Sequence, residues 1–180
     1  MSEMISDIMP DDHTSIISLA DPLKRIIKSI HFYMLDEEPL SDDILYGPSH
    51  VKNAHRLSEK CTLREFLQIF GTDIMRKELG DNVWAVALCR QASSFLEKEK
   101  GRGVIIVPDV RFVEEIDEIY DMCRANDYKL DMIHITRESV SEMTHRSEKG
   151  WPDIRSSCSH KNIPIHHLQN NKSANAFKAF

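Results

Sequence analysis

No stretch of this 180-residue sequence approaches the ~20 consecutive apolar residues that span a bilayer, so a transmembrane protein is not expected. The amino terminus, Met1-Ser2-Glu3-Met4, has early acids in place of an apolar core, and a signal peptide is not expected either. Positive charge is also in short supply. With 23 Lys and Arg against 29 Asp and Glu, the formal net charge is −6. The overall field repels the phosphates of a polynucleotide, and no local basic patch offsets it. A mononucleotide is a different matter, because a few inward-facing arginines suffice to hold one phosphate group.

Closely spaced cysteines are missing. Cys61, Cys89, Cys123 and Cys158 stand far apart and form no CxxC pair. Reduced, mostly buried thiols follow, and with them a cytoplasmic location. Cys158, His160, His166 and His167 are neighbours in sequence, but structural zinc prefers two spaced pairs with a tight turn between them. His166 and His167 would also face opposite sides of a strand, so no metal site is assigned. Low-complexity tracts and internal repeats are absent. What remains, at 41% hydrophobic residues, is enough for one globular domain burying about 70% of its unfolded surface. The expected organisation is a loose arm over residues 1–13 and a single domain over 14–180.

Within that domain, apolar patterning alternates between two periods. Thr14 to Ala20 is a short β-rich run. Asp21-Pro22 then starts a helix, with Asp21 as N-cap, Pro22 in the first turn, and Leu23, Ile26, Ile27 and Ile30 as its apolar stripe. Residues 36–60 are polar and hold Pro39, Gly47 and Pro48, which reads as a loop or mobile insertion. Thr62 and Glu65 have the spacing of a capping box ahead of Leu63, Phe66, Leu67 and Phe70. A long helix is predicted from about Val83 to Lys98, with Val86, Leu88, Ala92 and Phe95 as core candidates. Val104 to Val107 is a continuous β-branched run, as in a central parallel strand covered on both faces. A helix with Val113, Ile116, Ile119, Tyr120 and Cys123 on one side follows. Tyr128 to Ile135 is a further strand, Ser141 to Arg155 a polar segment, and Ile163 to Leu168 a last short strand. Strands alternating with helices imply an α/β fold with a mainly parallel sheet.

Ligands of such sheets sit beyond the carboxyl ends of the strands. Asp21-Pro22-Leu23-Lys24, Asp109-Val110-Arg111 and Arg137 occupy those positions. Arg111 and Arg137 are the natural phosphate ligands, since guanidinium is planar and always charged. Asp109 has the chemistry to orient Arg111, to bind Mg²⁺ through water or to accept a hydroxyl. Equally, Asp109 and Arg111 are a pair that can simply cap their own loop. Gly71-Thr72-Asp73 breaks a helical rhythm and reads as a junction, with Thr72 and Asp73 capping the next segment. Trp84 suits either a core or a ligand platform. Thr144-His145-Arg146-Ser147-Glu148 suits a mobile lid over residues 138–162 or a solvated loop.

Several segments together resemble the deoxynucleoside monophosphate kinase family of tailed bacteriophages. Leu67 to Asp73 is similar to its LxxxGTD segment, and Asn82-Val83-Trp84-Ala85 to the helix start that follows. Val104 to Arg111 resembles its IVPDTR strand and loop, and Ile133 to Arg137 its IHVxR strand end. Thr144 to Pro152 resembles its THxxExGxP lid, and Pro164 to Ser173 its last strand and turn. Ser18 to Lys24 resembles the FADPLK stretch of the broader group, which includes animal-type phosphomevalonate kinases. The resemblance spans roughly residues 14–180. It implies a P-loop nucleoside monophosphate kinase-like three-layer fold and phosphoryl transfer from ATP, with Mg²⁺, to a deoxynucleoside monophosphate. By match, Lys24, Thr72, Asp73, Trp84, Asp109 and Arg111 line the monophosphate site. Arg137, His145, Arg146 and Glu148 belong to the ATP and lid side. Arg111, Asp109 and Arg137 would carry the catalysis. The resemblance also implies a homodimer and, if the gene belongs to a phage, residence in the host cytoplasm.

The chain departs from the family at one motif. No GxxxxGK[ST] occurs in it. The family places a first strand and a GxxxxGKD[ST] loop ahead of the segment matching Ser18–Lys24, where this sequence has only Met1 to His13. Two expectations follow: a kinase, or a piece of one whose phosphate loop lies in further sequence or a partner chain; or a scaffold that keeps the fold and binds a nucleotide or a protein partner. The place of the missing strand would be covered by another chain or by a rearranged arm.

Overall fold

The computed structural model describes residues 13–34, 40–136 and 150–169. They alternate strand and helix as the two periodicities require. Strand β1 is Thr14–Ile16, and helix α1 is Asp21–Met34. Helix α1 includes Asp21, one residue earlier than expected, and places it in the first turn, where a carboxylate favours the positive end of the helix. The chain divides into two compact units. One comprises residues up to Ser18 together with those from Leu88 onward; the other is Leu19–Ala87.

In the second unit, residues 40–62 differ from the expected loop. They form helices α2 (Asp42–Tyr46) and α3 (Ser49–Ala54), then a small antiparallel hairpin of β2 (Arg56–Ser58) and β3 (Cys61–Thr62). The reason is two well-spaced leucines. Leu40 and Leu45 are buried with Ile27 of α1 and Leu63 of α4 (Leu63–Gln68), and Leu57 and Phe66 pack on this core. Burying them removes the apolar surface that a loop would leave in water. Leu45 is wholly inaccessible. Leu45→Ala is therefore expected to cost about 2–5 kcal/mol, measured as a lower midpoint in chemical denaturation.

Helix α4 opens with the predicted capping box. The Glu65 N–H donates to Thr62 Oγ1 at 3.2 Å, and Glu65 Oε2 accepts from the Thr62 N–H at 2.8 Å. The Thr62 N–H and the Thr62 hydroxyl, which donates to the same Oε2 at 2.9 Å, hold the Glu65 carboxyl below its ordinary range. The junction expected at Gly71 is absent. The helix instead runs on through a π-helical stretch, Ile69–Arg76, into a short turn, α5 (Lys77–Leu79). Gly71 is buried there, and a Cβ on it would come within 2.7 Å of Leu23 Cδ2. Close packing against α1, not a break in the helix, accounts for this glycine.

Helix α6, Val83–Lys98, has the expected bounds. Leu88 and Ala92 are buried as foreseen, together with Ala85, Cys89 and Leu96, whereas Val86 and Phe95 are only half-buried. After it, β4 (Val104–Ile106) pairs in parallel with β1, Thr14 opposite Val104 and Ile16 opposite Ile106. Parallel pairing was expected; enclosure of this strand was not realised. All three residues of β4 are half-buried, and among the described residues its one neighbour is β1.

Helix α7 (Val113–Ala125), strand β5 (Met132–Thr136), helix α8 (Trp151–His160) and strand β6 (Ile165–Gln169) complete the first unit. β5 and β6 also pair in parallel. Both strands begin later than the sequence suggested, because Asp127 and Asn162 turn the chain through positive φ before them. The polar segment expected from Ser141 to Arg155 holds, in its described part, the start of α8. Ile154 and Cys158, four residues apart, are buried against Ile116 and Ile163. The expected lid-like segment, 138–162, thus ends in a core helix. All four cysteines are free. Burial raises the thiol pKa of Cys89 to about 12 and also raises those of Cys123 and Cys158. No described helix is long and apolar enough to cross a membrane.

Candidate functional site

The carboxyl end of β4 delivers Pro108-Asp109-Val110-Arg111-Phe112 to the start of α7. Parallel pairing carries β1 past the same end, and the Ile17 N–H donates to the Ile106 carbonyl at 3.0 Å. Ser18 therefore lies beside Asp109, and its hydroxyl donates to Asp109 Oδ2 at 2.5 Å. Asp109 is half-buried and Arg111 exposed.

The loop is held from below by Glu115, a residue sequence reasoning passed over. Its side chain is almost wholly buried, at 2% exposure. Oε2 accepts from the backbone N–H of Arg111 at 2.8 Å and of Phe112 at 3.1 Å. One carboxylate so satisfies two amide donors at the start of α7, where the helix dipole also favours negative charge. On the other side of the loop, Gly150 approaches so closely that a Cβ there would overlap the Arg111 carbonyl oxygen. Ser18, Asp109, Arg111, Glu115 and Gly150 are thus brought together within one unit. The main chain at Arg111 is fixed while its side chain reaches outward.

In the other unit, Lys24 Nζ lies 3.9 Å from Asp21 Oδ1 and 4.2 Å from the centroid of the Tyr46 ring. Lys52, whose amine donates to the Gly47 carbonyl, has a lowered pKa, first from burial and then from the nearby charges of Lys24 and Arg64. This concentration of positive charge was not legible in the sequence, where the three residues are far apart. Trp84 is buried, and its Nε1–H donates to the Gly71 carbonyl at 3.0 Å. Of its two readings, this contact supports the core role. Thr72 and Asp73 are exposed on the π-helical stretch and do not cap a following segment.

Arg137, His145, Arg146 and Glu148 lie outside the described residues, as do the arm at 1–12 and the turn at 170–173. Of the cysteine and histidines near the carboxyl terminus, Cys158 is in the core and His160 Nδ1 contacts the Ser156 carbonyl oxygen at 2.9 Å. His166 pairs with Asp131 at 3.1 Å. His134 stacks on Trp151, and burial, His167 and Arg155 together hold its pKa below the ordinary value.

Parallel strand pairs with helices between them, and a charged loop at the carboxyl end of β4, make this an α/β protein. The family model described as deoxynucleotide monophosphate kinase matches residues 45–163. This is well over half of the chain, and the chain belongs to that family. No curated protein and no solved structure matches it. The match includes Thr72, Asp73, Trp84, Asp109 and Arg111, as well as Arg137, His145, Arg146 and Glu148. Lys24 precedes it.

Proposed function

We propose that this chain is a deoxynucleoside monophosphate kinase-type protein whose Asp109–Arg111 loop takes the monophosphate. The observation that carries the reading is the build of that loop. It stands at the carboxyl end of β4, it is braced by the buried Glu115 beneath two of its amides, and it presents Arg111 outward. Arg111 binds the phosphate with its guanidinium fork, and Asp109, already accepting from Ser18, orients the loop or a substrate hydroxyl. Lys24, Thr72, Asp73 and Trp84 are assigned to the substrate by the family's motifs; Trp84 acts through packing against Gly71.

ATP and Mg²⁺ are the family's phosphoryl donor and its metal. ATP supplies the transferred group, and Mg²⁺ neutralises the charge on its phosphates. The described residues do not fit a triphosphate: the sequence has no GxxxxGK[ST] to cradle it. The ATP side of the reading therefore rests on Arg137, His145, Arg146 and Glu148 by resemblance. That missing motif favours a second reading, a catalytically inactive scaffold that binds a nucleotide or a protein partner. In the kinase reading the protein works in deoxynucleotide metabolism, and, if phage-encoded, in the cytoplasm of the bacterial host. In both readings, a second copy or a partner covers the edge of the β1–β4 pair that no described strand occupies, since exposed edges invite association.

Isothermal titration with each common deoxynucleoside monophosphate tests the proposal. Binding is expected to weaken by at least about tenfold in Arg111→Ala, since charge-assisted hydrogen bonds are worth roughly 1.5–3 kcal/mol. Equal affinity in the variant would remove Arg111 from the site. No binding of any monophosphate, by a folded chain, would leave the protein-binding scaffold as the better account.

A further inference from the structure

The face of the β5–β6 pair that carries Trp151 also carries two histidines in direct register. His134 and His167 are Cα partners across the parallel ladder. Their Nδ1 atoms are 3.4 Å apart, and their rings meet edge-on with centroids 5.5 Å apart at 83°. The His134 ring is fixed by the Trp151 indole, stacked on it at 3.5 Å and 10°, and the same indole stands edge-on to His167 at 6.3 Å. Two imidazole nitrogens bound at about 2.0–2.1 Å to one tetrahedral ion are themselves about 3.4 Å apart. The pair already has that spacing without movement of either strand.

We infer that His134 and His167 form a two-nitrogen site for a divalent transition-metal ion of the zinc, nickel and copper group, with water completing the coordination. Imidazole suits these ions, whereas Mg²⁺ prefers oxygen ligands and does not compete. The site is therefore separate from any metal carried by a nucleotide. Without an ion, one Nδ1–H donates to the other nitrogen; on binding the ion that ring takes its Nε2–H tautomer, so both Nδ1 lone pairs are free for the metal. Arg155 is the charge that opposes the ion, while the ion pair of His166 with Asp131 belongs to the next strand positions, whose side chains point to the opposite face. The site joins two parallel strands whose own pairing spans only five residues each, so an occupied site pins β6 to β5.

The test uses the full 180-residue chain without an affinity tag. Cu²⁺ or Ni²⁺ is titrated while tryptophan emission is followed, and Zn²⁺ binding is measured by calorimetry. Trp151 is stacked on one ligand, and Trp84 is buried against Gly71. The expected result is one ion per chain, with quenching of one of the two tryptophans. His134→Gln and His167→Gln should each weaken binding by at least about tenfold, the loss usual when even an outer partner of a ligand is removed. His166→Gln, on the other face, should bind as the parent does. Trp151→Phe should retain calorimetric binding and lose the quench. Absence of saturable binding would overturn the inference. So would unchanged affinity in His167→Gln, an exposed and conservative change that leaves the fold intact, or loss of binding in His166→Gln.

Discussion

Given ATP, Mg²⁺ and any common deoxynucleoside monophosphate, the 180-residue chain alone is expected to turn over at least about 10²–10³-fold more slowly than a family member carrying GxxxxGK[ST]. That factor is the usual loss for one preorganised donor. Here several backbone donors and a lysine would be missing together, because the loop cradles phosphate with successive N–H groups. Phosphoryl transfer leaves little else for a protein to do: catalysis is almost wholly positioning and charge stabilisation. The proposed acceptor side is a separate matter, since Asp109 accepts from Ser18 and the main chain at Arg111 is held by Glu115, all within one unit. Monophosphate binding is therefore expected to survive where turnover does not. A coupled assay run beside the titration separates the two quantities. Turnover in the range of a loop-bearing relative would overturn the reasoning and make this chain an ordinary kinase.

Replacing Glu115 by alanine is expected to have the next largest effect. The carboxylate is buried and serves the amides of Arg111 and Phe112. Its removal leaves two donors at the head of α7 without this acceptor and empties a space that is almost wholly buried. Hydrogen bonds to charged groups are worth about 1.5–3 kcal/mol, so a stability loss of at least that size is expected in urea denaturation. Glu115→Gln keeps one carbonyl oxygen at nearly the same place and should retain part of the difference. Monophosphate affinity should fall in Glu115→Ala although the residue is not proposed to touch the ligand, because the main chain carrying Arg111 loses its brace. A variant within 0.5 kcal/mol of the parent, inside the range typical of neutral surface changes, would show that the loop stands without it.

The contrast between Thr62 and Phe112 explains what the sequence could disclose. Both precede a helix with a glutamate three residues on, and both glutamates reach back to the backbone. Thr62 announces itself, because a hydroxyl at that position is a known cap; Phe112 does not, because only the glutamate half of the arrangement is present. Helix α6 was legible to the residue, since its apolar positions recur over four turns. Helix α8 was not: it buries just Ile154 and Cys158, and the polar residues around them imitate a loop. The residues of α2 and α3 were obscured by Pro39, Gly47 and Pro48, although Leu40 and Leu45 decide their fate. At Gly71 the apolar rhythm does change, where the helix widens to a π-helical stretch. Two physical causes, a chain break and a wider helical turn, leave the same trace in a one-dimensional pattern. The loop at Asp109 stands out in the sequence because it follows a strand, whereas Lys52 and Arg64 join Lys24 only through folding.

The pairing of Thr14 with Val104 sets an order on events during synthesis. β1 leaves the ribosome well before β4, its partner among the described residues, and the whole Leu19–Ala87 unit is made in the interval. At ordinary translation speeds that wait is on the order of ten seconds, far longer than local helices need to form. The inner unit can therefore be complete while the strand before it is still a waiting ribbon. A chaperone or a second nascent chain has its opportunity to capture β1 in that window.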